Sequence, residues 1–174
     1  MKKAILIISV MLCTFGAAAQ QIERLSKAEI EANETPRAVA YNFVNYIIEQ
    51  DYVRMYMLIT PHFRTGLKDW AQSEGVELTQ LFTRDHMHDI VDMRPVVQMG
   101  YDVVIYNSWI VNTDDYFGMY GETNPYKGLP AFSVSFTCAD ANNNIYDGTY
   151  GDYDITARVL LVKIDGKWKV FGFK

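Results

Sequence analysis

Cysteine is nearly missing from this chain: there are two in 174 residues, and one of them, Cys13, lies in an apolar leader. A single cysteine in the remainder, Cys138, cannot form an intrachain disulfide, which excludes a disulfide scaffold. Proline and glycine are also modest, at 5 and 11, and no Gly/Ser or Pro-rich linker or internal repeat divides the chain. Collagen-like and low-complexity architectures are therefore excluded, and one domain is expected. Positive charge is in deficit, with 16 Lys and Arg against 21 Asp and Glu. Without a basic footprint, nucleic acid and anionic membrane surfaces are not expected partners. Nucleotide-cradling and nucleophile-elbow motifs are absent as well: the sequence has no P-loop, no G-x-G-x-x-G and no G-x-S-x-G.

What is present begins with a leader. Residues 1–19, MKKAILIISVMLCTFGAAA, combine two lysines, an apolar run from Ala4 to Phe15 and an Ala17-x-Ala19 cleavage pattern. These are the three parts of a secretory signal peptide, and the run is too short for a spanning helix, which needs about 20 residues. Cys13 lies inside the apolar run and Leu12 precedes it, so a lipoprotein cleavage site is not expected. The mature chain is expected to start at Gln20, to be exported to a periplasmic or extracellular space, and to carry no membrane span. Removing Lys2 and Lys3 deepens the acidic balance.

Residues 20–34 are polar and alternate in charge, and read as a flexible or loosely helical lead-in to a single α+β domain over 35–174. Thr35-Pro36 then places a capping hydroxyl before a proline at the first helical position. Val39, Phe43, Tyr46 and Ile47 follow at helical spacing, so a helix is expected from Pro36 to about Gln50. A short helix over Tyr52–Ile59 ends at a second Thr60-Pro61 signal. The next helix runs from Pro61 to about Ser73, with Phe63, Leu67, Trp70 and Ala71 on one face and Gly75 as its stop. Glu77–Ile90 reads as a further short helix. From Pro95 on, β-branched and aromatic residues dominate. Strands are expected at Val96–Met99 and Tyr101–Val111 with a bend at Gly100, then at Ala131–Ala139, Ile155–Ile164 and Lys167–Phe173. Thr113–Pro130 reads as a loop, and Asp165-Gly166 as a two-residue hairpin turn. Helices first and a strand meander afterwards predict an α+β fold, with N-terminal helices packed on a curved antiparallel sheet of about four strands.

Two stretches carry a resemblance. The opening PRAVAYNFVNYIIEQDYVRMYMLITPHF and the ending ARVLLVKIDGKWKVFGF, residues 36–63 and 157–173, resemble the first helices and the last hairpin of nuclear transport factor two-like domains, of the cystatin-like cone type. The resemblance implies a sheet wrapped around helices to make a cone. Some members resemble polyketide cyclases, dehydratases or ketosteroid isomerases, with Asp, His or Tyr inside the cone. Others are binding or dimerisation modules, including small exported bacterial proteins of unknown role. No enzyme motif of those branches maps residue by residue onto this chain.

The chemistry candidates are few. His86 and His88, in Asp85–Asp89, would share a face on a strand but diverge on a helix, and no third ligand of matching spacing is visible, so no metal is expected. Asp140-x-Asn142-x-Asn144 begins like a calcium loop, then places Ile145 where glycine is needed and Gly151 where a bidentate glutamate is needed. Turn chemistry is the expected role there. Cys138 shares an alternate face with Phe132, Val134 and Phe136 and is expected to be a buried strand residue. His62 and Asp102 are the candidates for acid–base work, and Phe43, Trp70, Tyr106 and Trp109 the candidate ligand-binding wall. No cofactor is expected. Six tyrosines between Tyr116 and Tyr153 fall in or beside polar loops, where they suit either a recognition surface or packing over the sheet. The expected function is a non-enzymatic exported binding module for a small hydrophobic ligand or a protein or glycan partner, with a homodimer through the sheet. The alternative is a small lyase or isomerase acting in the cone on a hydrophobic substrate. A third class, an inhibitor-like partner of another exported protein, would show a closed cone and an exposed tyrosine patch.

Overall fold

The computed structural model describes residues 22–83, 90–150, 153–154 and 156–173. The leader and the Asp85–Asp89 stretch lie outside the described residues. The chain is α+β, and the helical signals are met by real caps. Ser26 and Glu29 form a reciprocal capping box on α1 (Lys27–Ala32). The Thr35 hydroxyl accepts from the Ala38 amide at the head of α2 (Pro36–Ile48). Asp51 caps α3 (Tyr52–Leu58), and the Thr60 hydroxyl accepts from the Phe63 amide to start α4 (Pro61–Glu74). Gly75, at φ 68, closes α4 in the left-handed conformation.

The antiparallel sheet has the order β1-β2-β5-β6, built from β1 (Asp102–Val111), β2 (Ala131–Ala139), β5 (Thr156–Ile164) and β6 (Lys167–Phe173). A two-residue pair, β3 (Thr149–Tyr150) and β4 (Tyr153–Asp154), stands apart from it. Asp165 and Gly166 have φ values of 49 and 77, the left-handed pair that a tight β5–β6 turn requires.

One sheet face is covered by the helices. Phe43, Ile47, Met55, Leu81, Met93, Phe136 and Leu161 are all buried there and fill the space between helices and strands. Cys138 is among them, its thiol pushed up to about 12 by burial and, secondarily, by the charge of Asp102. The other face carries a smaller cluster of Phe117, Tyr126, Leu160, Val162 and Phe171.

Two readings are corrected. Val96–Met99 is not a strand: Met93–Gln98 forms a helix, α5, which buries Met93 and Val96 against the core, and Gly100 at φ 96 turns the chain into β1. Tertiary burial at helical spacing outweighs the β preference of Val96-Val97. Thr113–Pro130 is not all loop, because Thr113–Tyr120 forms α6, which lies over the second sheet face. Its start is signalled by the Asn112 cap and two acids in the first turn, and its stop by Gly121. Glu77–Ile90 contributes a 3-10 turn over Leu78–Phe82.

The lead-in is docked to the domain. Glu23 exchanges backbone hydrogen bonds with Ile105, and the Asn42 side-chain amide donates to the Ile30 carbonyl and to Asn33 Oδ1, tying α1 to α2. Arg24 donates to Asp102 Oδ2 at 2.6 Å, to the Asp140 carbonyl at 2.6 Å and to Asn143 Oδ1 at 3.1 Å. Among the described residues no helix is long and apolar enough to cross a membrane.

Candidate functional site

A cleft of about 570 Å³ opens between α4, the end of α6 and strand β6. Its α4 wall follows from the Thr60 cap. Thr60 is fully buried, its hydroxyl starts the helix, and its amide donates to the Val170 carbonyl at 2.8 Å. That one residue sets the first turn of α4 against β6, so that Phe63 and Trp70 face Phe173 across the cleft.

The β6 wall depends on a bulge. Leu160 pairs with Gly172 and Leu161 with Val170, leaving Phe171 as the extra residue. The inserted residue changes the alternation. Phe171 and Gly172 fall on the second face, while Phe173 returns to the helix face and meets Phe43 and Phe63. Tyr116 from α6 packs edge-on to Phe171, with ring centroids 5.3 Å apart.

The polar groups stand at the mouth. His62 Nε2 lies 3.7 Å from Glu122 Oε2, both side chains about half exposed, so an imidazolium there has a carboxylate partner. Glu122 is placed by the α6 terminus, where its amide donates to the Phe117 carbonyl. The His62 ring also stands edge-on to Phe117 at 5.5 Å and to Tyr126 at 6.2 Å. Tyr126 is buried, and burial raises its pKa. Its hydroxyl lies beside Thr60 and the His62 backbone without closing a hydrogen bond of regular geometry. Asp69, one helical turn before the end of α4, is the second acid of the lining.

The remaining candidates are dispersed. Trp109 lies in a separate recess of about 260 Å³ on the second sheet face, with the Arg158 guanidinium 5.1 Å from its ring centroid. Tyr116 and Phe171 form a wall common to this recess and the cleft. Tyr106 is the bulge residue of β1 and lines a small polar recess with Glu23 and Ser108. Phe43 is fully buried in the core, and Asp102, 63% exposed, faces solvent beside Arg24. Thus His62 and Trp70 are brought together, and Phe43, Tyr106, Trp109 and Asp102 are not.

Of the loop tyrosines, Tyr126 is buried under α6, Tyr116 is half-buried, and Tyr146 packs edge-on to Tyr101 at 5.3 Å. Each of these three serves packing over the sheet. The Asp140 loop is held by its own turn chemistry: Oδ1 accepts from the Asn142 and Asn144 amides and Oδ2 from the Asn144 side chain, all at 2.8 Å. These bonds, those from Asn144 foremost, lower the Asp140 pKa. Among the described residues no group of three His, Cys, Asp or Glu is arranged to hold a metal ion. The Glu122, Phe171 and Phe173 contributions were missed in the sequence; the Gly121 helix stop marks Glu122, whereas nothing local marks the β6 bulge.

Comparison of the chain with protein-family models, with curated protein sequences and with solved structures gives no match.

Proposed function

We propose that the protein is an exported, non-catalytic binding module of the nuclear transport factor two-like type. Its ligand is a small amphipathic molecule held in the cleft between α4, α6 and β6. The observation that carries this reading is where the concave space lies. The interior between helices and sheet is filled by side chains such as Phe43 and Phe136, while the aromatic cleft outside it is open and has polar groups at its mouth. An aromatic wall with a few placed polar groups is the ordinary build of a small-molecule site. Trp70, Phe63 and Phe173 offer flat apolar surface, Asp69 and Glu122 accept hydrogen bonds from hydroxyl or ammonium groups, and the His62 ring supplies an N–H donor.

Binding is favoured over acid–base catalysis because Asp102 faces solvent at the far edge of the sheet and His62 stands half exposed at the mouth of the cleft, so neither candidate points into an enclosed pocket. The leader supports export, and the terminal helix and hairpin patterns support the family reading. The test is a titration with sugars and with alicyclic or aromatic alcohols, followed by NMR of the tryptophan indoles and the His62 ring. The expected result is a ligand that shifts Trp70 and His62 while leaving Trp168 unmoved, with binding lost in Trp70→Ala. Shifts confined to Trp109, or no binding across the series, would overturn the assignment.

A further inference from the structure

The two edges of the sheet are treated differently. At β6 the edge is covered, since Ile59 bridges to Val170 and Thr60 donates to the Val170 carbonyl. It is also flanked by Lys167 and by Lys169, whose Nζ donates to the Met57 carbonyl. Covering and lysine are two of the ordinary guards against strand-to-strand association. At β1 the first half is closed in a similar way, by Glu23 paired with Ile105. Beyond the Tyr106 bulge, Asn107-Ser108-Trp109-Ile110-Val111 contains no charge and no proline of its own and is rich in β-favouring side chains. Arg37 reaches this half only through the Ser108 hydroxyl, at 3.1 Å, and not through its backbone.

The ladder fixes which backbone groups are open. Ile105 turns its amide and carbonyl away from β2, toward Glu23. After the bulge, Asn107, Trp109 and Val111 pair with Ser135, Ser133 and Ala131, so the alternation aims the amides and carbonyls of Ser108 and Ile110 outward. Among the described residues no backbone group pairs with them. Ile110 is 81% exposed on the helix-side face, and Trp109 lines its recess on the other.

From this edge we infer that the protein forms a two-fold dimer by antiparallel pairing of Asn107–Val111 with the same segment of a second copy. The segment is complementary to itself. With Trp109 opposite its counterpart on the two-fold axis, Ser108 of each copy stands opposite Ile110 of the other, and all four outward groups on each strand are satisfied. The paired strands carry no charge of their own, and pairing covers the exposed Ile110. Nearby charges are Arg37, whose Nε donates to Ser108 Oγ at 3.1 Å and which pairs with Glu23, and Arg158 over the Trp109 ring. The result is one continuous eight-stranded sheet, an association independent of the ligand cleft.

The experiment is sedimentation of the purified protein over a concentration series, with amide hydrogen exchange at Ser108 and Ile110. The expected result is a dimer whose Ser108 and Ile110 amides are protected at high concentration and exchange freely on dilution. Ile110→Pro removes an outward amide that β2 does not use, so the far-ultraviolet spectrum should be unchanged while dimerisation weakens by about ten- to a hundredfold, as expected for one hydrogen bond lost from each copy. If that variant fails to fold, Ile110→Lys at the same exposed position places like charges at the seam and should weaken the dimer likewise. A monomer at all concentrations, or a dimer untouched by both substitutions, overturns the proposal. So does protection of both amides in a protein that sediments as a monomer.

Discussion

The hydroxyl of Tyr116 stands 2.9 Å from the position that a Cβ on Gly172 would occupy. Gly172 lies just after the β6 bulge, and Tyr116 is part of the wall between the cleft and the Trp109 recess, so the missing side chain is what lets α6 sit against the sheet. Gly172→Ala should therefore push the ring aside at a cost of about 1–3 kcal/mol, the usual range for overpacking. Tyr116→Phe removes the nearest atom but leaves the ring carbon at 3.1 Å, so in that background the cost of Gly172→Ala should fall without vanishing. A double-mutant cycle by urea denaturation measures the coupling, expected at about 0.5 kcal/mol or more for groups in contact. Strict additivity would mean that the two residues do not touch.

Phe43 and Trp70 make opposite demands on an experiment. Phe43 has no exposed surface and packs on Phe173 at 6.3 Å, whereas Trp70 is half-buried in the cleft wall. Phe43→Ala should destabilise the fold by about 3–5 kcal/mol, and Phe43→Leu by less, with the folded variant binding the cleft ligand as before. Trp70→Ala should do the reverse, leaving the melting temperature close to that of the unaltered protein and abolishing binding. Thermal melts paired with ligand titration separate the two roles, and a folded Phe43→Leu protein that no longer binds would move the site into the core.

Much of the fold was legible because its signals are local. The Thr-Pro pairs at 35–36 and 60–61 act through hydroxyl caps on the next turn, and Asp165-Gly166 acts through its own backbone angles. The strands Ala131–Ala139 and Lys167–Phe173 have the expected bounds. What escaped is what one segment does to another. Val96-Val97 has a β preference that yields only when Met93 and Val96 find the core. The cleft is assembled from residues near 62–70, 116–123 and 171–173, and its β6 wall exists because Phe171 is inserted opposite β5. Period-two alternation predicts that Val170 and Phe173 occupy opposite faces, and the bulge reverses that. The lead-in is held by Arg24 reaching Asp102 and Asp140, contacts separated by 78 and 116 residues that charge alternation alone does not specify.

Cys138 links burial to alkaline behaviour. Its thiol is completely buried, and the cost of ionising it there moves its pKa from an ordinary 9.0 to about 12. The sign of the effect follows from proton linkage: between these values the unfolded chain has lost the thiol proton and the folded chain retains it, so rising pH favours unfolding. The contribution is therefore fully present below about 9 and is lost as pH climbs toward 12, with a limiting slope of about 1.4 kcal/mol per pH unit. Cys138→Ala lacks the titrating group, and the difference between its stability and that of the unaltered protein should be flat up to pH 9 and should then shift steadily in favour of the variant. Taking the difference cancels the opposing trends of Lys169, whose pKa burial lowers, and Tyr126, whose pKa burial raises. The same burial predicts that a thiol reagent at pH 8 modifies Cys138 only at the rate of unfolding, so that labelling in urea follows the denaturation curve. Rapid labelling of the native protein would place the thiol at the surface and remove the basis for the alkaline slope.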